Sequence, residues 1–389
     1  MSISYWLENK SSSTQSYDLV IIGAGIAGLS AAYWWQKKNP RDRIAIVEKN
    51  RLGFGASGRN AGFVTCGSTE HFIKLQEQFG LAKALEIWKF SEENHRLLKQ
   101  EIVQEDGDSV DYKLTGSCTV APSEIHWQKY QSVAKTMKAA GLDMIEVSPS
   151  DLEKNYGVSG FVGGLQYQGD GYIHPIKLLK KIYSRLSVDL IEGTEVFAIE
   201  KKSDHSLIRT DQGVLTTAKL IISVNAYLPL LLQDFRSLIT PGRGQILLTE
   251  PLPAFVQGPC YLTKHLCYFR QLPTGHLLIG GFRNLALADE NTYADETTPV
   301  IQGALLDFVR SHFKYGGEAK VAHKWSGIMG FSKDGQMLLG NLPDHPHVHV
   351  MAGCSGHGMG LSFHAAKVLV ESVTGQEIPT HLRLQRFLR

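Results

Sequence analysis

Val20-Ile21-Ile22-Gly23-Ala24-Gly25-Ile26-Ala27-Gly28-Leu29 sets a GxGxxG pattern between an apolar run and a stretch of helical character. Gly23 permits a tight turn, Gly25 lets the backbone approach a pyrophosphate, and Gly28 allows a helix to pack closely on a strand. A helix starting there offers unpaired N–H groups and the positive end of its dipole to phosphates. Residues 17–23 read as a strand, Ile26–Lys38 as the helix stopped by Asn39-Pro40, and residues 43–48 as a second strand. Glu48, at the end of that strand, suits an adenosine ribose and repels the extra phosphate of NADP. The order strand, glycine turn, helix, strand is a βαβ unit and predicts a parallel sheet. A dinucleotide is therefore expected, held by Gly23, Gly25, Ile26, Ala27, Gly28, Glu48 and Lys49.

Two further glycine-dense stretches lie far apart in the chain. Gly53-Phe54-Gly55-Ala56-Ser57-Gly58-Arg59-Asn60-Ala61-Gly62-Phe63 forms a compact loop able to lie against a ring system or phosphates. Ala352-Gly353-Cys354-Ser355-Gly356-His357-Gly358-Met359-Gly360 reads as a strand-to-helix turn whose helix N-terminus can stabilise negative charge on a reduced ring.

The chain has 389 residues, more than one hydrophobic core normally serves, so two domains are expected. Net charge is +2 with both signs interspersed, and nothing resembles a basic nucleic-acid surface. The apolar runs at 220–224 and 228–232 fall far short of a membrane span. Residues 1–16 read as a polar leader without the pattern of a secretory signal. The five cysteines are scattered and form no CxxC pair, which points away from disulfides or a metal site and toward a cytoplasmic location. Periodicity predicts helices at 79–103, 123–140, 175–186, 299–313 and 357–374. Strands are predicted at 113–120, repeatedly between 188 and 224, and at 245–250, 268–272, 276–282 and 347–352.

These motifs resemble the D-amino-acid-oxidase-type superfamily of FAD oxidoreductases. The resemblance runs through GAGIAG, Glu48, the GASGRNAG loop, Gly171-Tyr172-Ile173-His174-Pro175, Trp325-Ser326-Gly327 and the closing GCSGHGMG. The loop GFGASGRN and the leading Ser4-Tyr5-Trp6 are most similar to the gamma-glutamylputrescine oxidase branch. The resemblance implies an α/β fold in which a Rossmann-type FAD-binding domain (17–90, 150–235 and 320–389) carries an inserted α+β substrate domain built on an antiparallel sheet (91–149 and 236–319). It further implies noncovalent FAD contacted by Ala56, Ser57, Gly58, Arg59, Asn60, Ala61 and Gly62, by Val196 at the adenine end, and by Gly353, Ser355, Gly356, His357, Gly358 and Met359 at the pyrimidine edge.

Departures from the family pattern bear on substrate and oxidant. Met329 stands where relatives place an arginine for the substrate carboxylate, and Leu278 where one branch places a lysine that promotes reaction with oxygen. Gly327 and Arg59-Asn60 occupy the positions of residues that tether the flavin covalently in some relatives. Arg270, on a substrate-domain strand, is a candidate for a substrate carboxylate. His174 and His357 are further candidates for contact with substrate or ring. The implied reaction is oxidation of a small amine or amino acid, with oxygen or another acceptor taking the electrons. An FAD enzyme acting on a modified tRNA base and a non-enzymatic FAD-stabilised protein are the alternatives.

Overall fold

The computed structural model describes residues 14–387. Its first sheet has eight strands. Gln15–Ile22 lies at its centre, in parallel with Ile44–Val47 on one side and Gly213–Ile222 on the other. Asp189–Ile191 extends the first flank, and His345–Ala352 pairs in parallel with the far end of Gly213–Ile222.

The near-continuous apolar character of these strands follows from burial on both faces. Leu19, Ile21, Ile44, Ile46 and Ile221 point into one core, where the helices Ile26–Lys38 and Gly358–Ser372 pack with Trp34 and Phe363. Val20, Ile22, Ala45, Val47, Leu220 and Ile222 point into the other. The alternation is the period of two that a strand imposes on its side chains.

The second sheet also has eight strands, in the order Val321–Ser332, Ile239–Pro251, His276–Gly280, Cys267–Gln271, Cys260–Leu262, Ser117–Ala121, Gly163–Tyr167 and Met144–Val147. Every pair in it is antiparallel except Cys260–Leu262 with Ser117–Ala121. Leu247, Phe269, Leu277 and Ile279 face the helix Pro299–His312. Ile246 and Leu278 face the opposite way and pack with Ala61 of the first glycine-dense loop.

Several expectations need adjustment. The strands Gly163–Tyr167 and Val321–Ser332 belong to the second sheet, although the chain divisions at 150 and 320 assigned them to the cofactor domain. Their apolar content supports either sheet, and only long-range pairing selects one. The helix expected at 79–103 is the α-helix Leu81–Leu98 followed by the π-helical turn Lys99–Val103; Gly80 at φ +80° separates it from a preceding helix, Thr69–Phe79, that was not expected. The strand expected at 113–120 is broken by Thr115-Gly116. Of the leader, residues 1–13 lie outside the described residues, and Gln15 already pairs with Leu215. No helix among the described residues is long and apolar enough to cross a membrane.

One buried ion pair fixes the segment that crosses over the second sheet. Glu290, fully buried, accepts from Arg243 Nε and Nη2 at 2.9 Å each, and Gln245 donates to the same carboxylate at 2.9 Å. Gln245 Oε1 in turn accepts from Thr298 N at 2.9 Å, so residues 290–298 are held at both ends. Glu290→Ala leaves the buried guanidinium only the exposed Glu296 at 3.6 Å and is expected to cost about 3 kcal/mol. Urea unfolding of the two proteins measures the difference, and a midpoint unmoved by the substitution would show that solvent or another group replaces the carboxylate.

Candidate functional site

The carboxyl ends of the parallel strands meet at one edge of the first sheet, and a cavity of about 590 Å³ opens there. Its walls come from distant parts of the chain: the turn Gly23–Ala27, Glu48 and Lys49, the loop 54–60, residues 194–197, residues 223–231, and the stretch from Ile328 to Met359. Ligands in open α/β sheets bind at this kind of edge.

Close approach builds the first wall. A Cβ on Gly28 would lie 1.9 Å from the Gly23 carbonyl oxygen, so only glycine lets the helix start so near the strand end. Ala24 N donates to Glu48 Oε2 at 2.9 Å and Ile26 N to Ser57 Oγ at 2.9 Å. Glu48 also accepts from Asn50 N at 3.0 Å. Glu48 and Ser57 therefore close the turn as well as lining the cavity.

Sequence reasoning missed the segment 223–227. Ser223 Oγ donates to the carbonyls of Ile22 and Gly23 at 2.8 and 3.3 Å. Asn225 Oδ1 accepts from Gly353 N and Cys354 N at 3.0 and 3.1 Å. These two side chains tie the first glycine turn to the last, and Ser223, Asn225 and Tyr227 all line the cavity. The available signal was a polar pair directly after the apolar strand Gly213–Ile222.

Arg59 joins the cofactor-side loop to the second sheet. Its guanidinium pairs with Asp295 and donates to Ser326 O at 3.2 Å, while Trp325 Nε1 donates to Arg59 O at 2.9 Å. Ser326 Oγ completes the network on Asp295 at 2.7 Å. Met329, two strand positions beyond Gly327, also lines the cavity. Its sulfur lies 3.8 Å from where a Cβ on Gly356 would stand.

Of the expected cofactor residues, Gly23, Gly25, Ile26, Ala27, Glu48, Lys49, Ala56, Ser57, Arg59, Asn60, Val196, Gly356, Gly358 and Met359 line this cavity. Gly28, Gly58, Ala61, Gly62, Gly353, Ser355 and His357 lie behind that lining, where they shape the backbone turns. His357 caps the helix Gly358–Ser372, bonds Ser355 O through Nδ1 at 3.0 Å and stacks on His71 with ring centroids 4.1 Å apart. Burial lowers the pKa of both imidazoles.

Two further candidates, Arg270 and His174, also make structural contacts. Arg270 is 3% exposed. It donates to Ala61 O at 2.6 Å and Ile173 O at 3.3 Å, and its guanidinium covers the Tyr172 ring at 4.6 Å. Arg270 thus braces the cofactor-side loop through two of its nitrogens, while its remaining Nη1 is buried without a protein partner. His174 is the N-cap of the helix Pro175–Tyr183, with Nδ1 accepting from Lys177 N at 3.4 Å. That bond serves the start of the helix.

Residues 18–372 match the family model described as FAD dependent oxidoreductase. The probable oxidoreductase OrdL of Haemophilus influenzae is 26% identical over 377 residues, covering 92% of this chain and 83% of that protein. The gamma-glutamylputrescine oxidoreductase of Escherichia coli is 21% identical over 374 residues, with 92% and 84% covered. Glycine oxidase from Geobacillus kaustophilus superposes with a TM-score of 0.79 over 95% of this chain and 97% of that one, at 21% identity. FAD is the dinucleotide this chain binds.

Glu48→Gln keeps the side-chain shape and removes its charge, so FAD affinity is expected to fall at least about tenfold, or ~1.4 kcal/mol. Equilibrium titration of the apoprotein measures it, and unchanged affinity would leave Glu48 with the turn alone.

A second expectation concerns pH. Burial pushes His95 and His349 down to about 4, whereas burial pushes Asp170, 3.9 Å from His95, up to about 7. Each histidine contributes stability above its unfolded pKa of about 6.5 that is lost as pH falls toward 4. Asp170 acts oppositely: its contribution is full below about 4 and is lost as pH rises through about 7. His381 is likewise pushed down to about 4 and burial also lowers His71 and His357, so the histidines outweigh Asp170 and stability falls on acidification from pH 6.5 to 5. Asp170→Asn removes the opposing group and should steepen that fall by up to about 1.4 kcal/mol per pH unit. Denaturant unfolding across this range tests the sign, and a shallower slope in the variant would reverse it.

Proposed function

The chain belongs to the FAD-dependent oxidoreductase family, and from that membership we propose that it oxidises a small amine at a C–N bond, using FAD held without a covalent tether. FAD supplies a two-electron acceptor for the hydride on the carbon beside nitrogen. Loss of that hydride and of a proton from nitrogen leaves an imine. Water hydrolyses it to a carbonyl compound and a smaller amine.

The observation that carries this reading is the apolar wall facing the cofactor-side loop. Ala61, Phe63, Ile246, Tyr268, Leu278 and Trp325 pack together on one face of the second sheet, the face that also carries Met329. Such a wall excludes water and lowers the pKa of a bound amine, favouring the neutral form that gives up hydride. The chain's own contribution is to orient the C–H bond and keep the site dry. The start of the helix Gly358–Ser372, preceded by the stacked neutral pair His71 and His357, offers a positive dipole end at the cavity. The fit to FAD is supported by a lining that includes the glycine turn, the Glu48 carboxylate and the closing residues Gly356, Gly358 and Met359. Gly327 stands against Arg59, and neither provides a thiol or imidazole to tether a flavin.

Met329 provides no cation beside the wall, so the preferred amine carries its carboxylate at a distance or has none. The Escherichia coli relative is named for such a molecule, a diamine acylated through a glutamyl group. Gamma-glutamylputrescine should bleach the anaerobic flavin at least about 30-fold faster than glycine, sarcosine or D-alanine at equal subsaturating concentration, the ~2 kcal/mol that a lost ion pair costs at minimum. Stopped-flow absorbance measures the rates, and heat denaturation of the same sample should release intact FAD. Rapid bleaching by glycine or D-alanine would refute the role given to Met329. Bleaching by no amine, with reduction by tRNA instead, would replace the substrate class.

A further inference from the structure

The arginines near the site differ in how their charge is met. Arg59 has Asp295, Arg243 has Glu290, and Arg270 has two carbonyl groups. Arg283 has none of these: among the described residues it makes no hydrogen bond, and no carboxylate lies within 4.0 Å of it. Tyr268 and Glu290 influence it through space, and of these the one carboxylate, Glu290, is already committed to Arg243.

Arg283 follows the strand His276–Gly280 directly. Phe282, at φ +60°, reverses the chain into the short turn Arg283–Ala286. The guanidinium then lies over the Phe331 ring at 4.2 Å, and its Nη1 is 3.4 Å from where a Cβ on Gly242 would stand. That Cβ would also meet the Phe331 ring at 2.4 Å, so the bare backbone at Gly242 makes room for the stack.

Gly242 is the register partner of Met329, and directly paired residues project to the same side of a sheet. Arg283 therefore stands over the face that carries Met329, beside the strand position paired with it. Stacking engages the flat face of the guanidinium and leaves its N–H edges free for two parallel bonds to a carboxylate. The side chain is half-buried, unlike the sealed Arg270, and burial holds its pKa below the ordinary arginine value. It is thus a partly dehydrated cation, which gives up less hydration to an incoming anion than an exposed one does.

We propose that Arg283 is the anchor for a carboxylate carried at the far end of the amine substrate. The assignment rests on the amine-oxidase reading above and gives the substrate a polarity: the nitrogen at the apolar wall beside Leu278 and Tyr268, the acid at Arg283.

The test uses the holoenzyme and two variants, Arg283→Gln and Arg283→Lys, with FAD content and Tm confirming that each folds. Two substrates are compared, gamma-glutamylputrescine and putrescine, the second lacking the carboxylate. In Arg283→Gln the ratio of their kcat/KM values should fall at least about tenfold, chiefly through the KM of the acid, and Arg283→Lys should restore part of it. A ratio unmoved in Arg283→Gln would overturn the assignment and leave a surface stack on Phe331. Glutarate, a non-reacting dicarboxylate, is titrated against the flavin absorbance of each protein as a separate arm. Binding by the parent that is lost in Arg283→Gln supports the anion site even if no amine bleaches the flavin, an outcome that would sink the amine reading alone. Binding of equal strength in parent and variant, or none in the parent, would overturn Arg283 as an anchor.

Discussion

The helix Ile26–Lys38 can begin where it does only because Gly28 has no side chain to strike the Gly23 carbonyl. That close approach brings the helix N-terminus to the edge where the parallel strands end, and the cavity follows from it. Glu48 and Ser57 occupy two N–H groups of the same turn, Ser223 holds its carbonyls, and Asn225 carries the restraint across to the closing glycine loop. The lining is thus a set of backbone turns secured by short polar side chains. Such a wall yields little when a large dinucleotide binds, so little ordering entropy opposes binding.

The second sheet is attached to this frame by arginine chemistry. Arg59 reaches Asp295 and Ser326, and Asp295 is in place because Glu290 and Gln245 fix the segment on either side of it. Arg270 holds Ala61 and Ile173 from the other direction. Planar guanidinium groups suit this task, since each bridges several acceptors that belong to different elements. Between these anchors lies an apolar face with few polar groups of its own. The division fits chemistry in which the cofactor accepts the electrons and the protein supplies dryness and orientation.

The same residue type performs unlike functions a few ångströms apart, and neighbours decide which. Arg243 and Arg270 are equally buried, yet one is neutralised by a bidentate carboxylate and the other donates to two carbonyls and lies on an aromatic ring, with Nη1 left without a partner. From the sequence, Arg270 was the natural choice for a substrate acid because it sits on a strand beside aromatics. Its strand position was read correctly. What lay opposite it, the carbonyls of Ala61 and Ile173, depends on packing between segments 97 and 209 residues away. His174 reads as a cleft residue from the sequence, and the structure adds that it caps the helix after it.

The sequence by itself determined the βαβ unit, the glycine turns and the family, because these depend on contacts within a few residues of each other: a positive φ, a close helix start, a strand-end carboxylate. It also marked Met329 and Leu278 as apolar at positions where the family resemblance led us to expect charges. Only the tertiary structure decided which sheet receives Val321–Ser332 and Gly163–Tyr167, since an alternating apolar strand pairs equally well on either side. It alone brought Ser223 and Asn225 to the cavity, sealed Arg270 and left Arg283 uncompensated. Charge compensation is a property of what the fold places within about 4 Å of a charged group, and neither composition nor spacing along the chain encodes that distance.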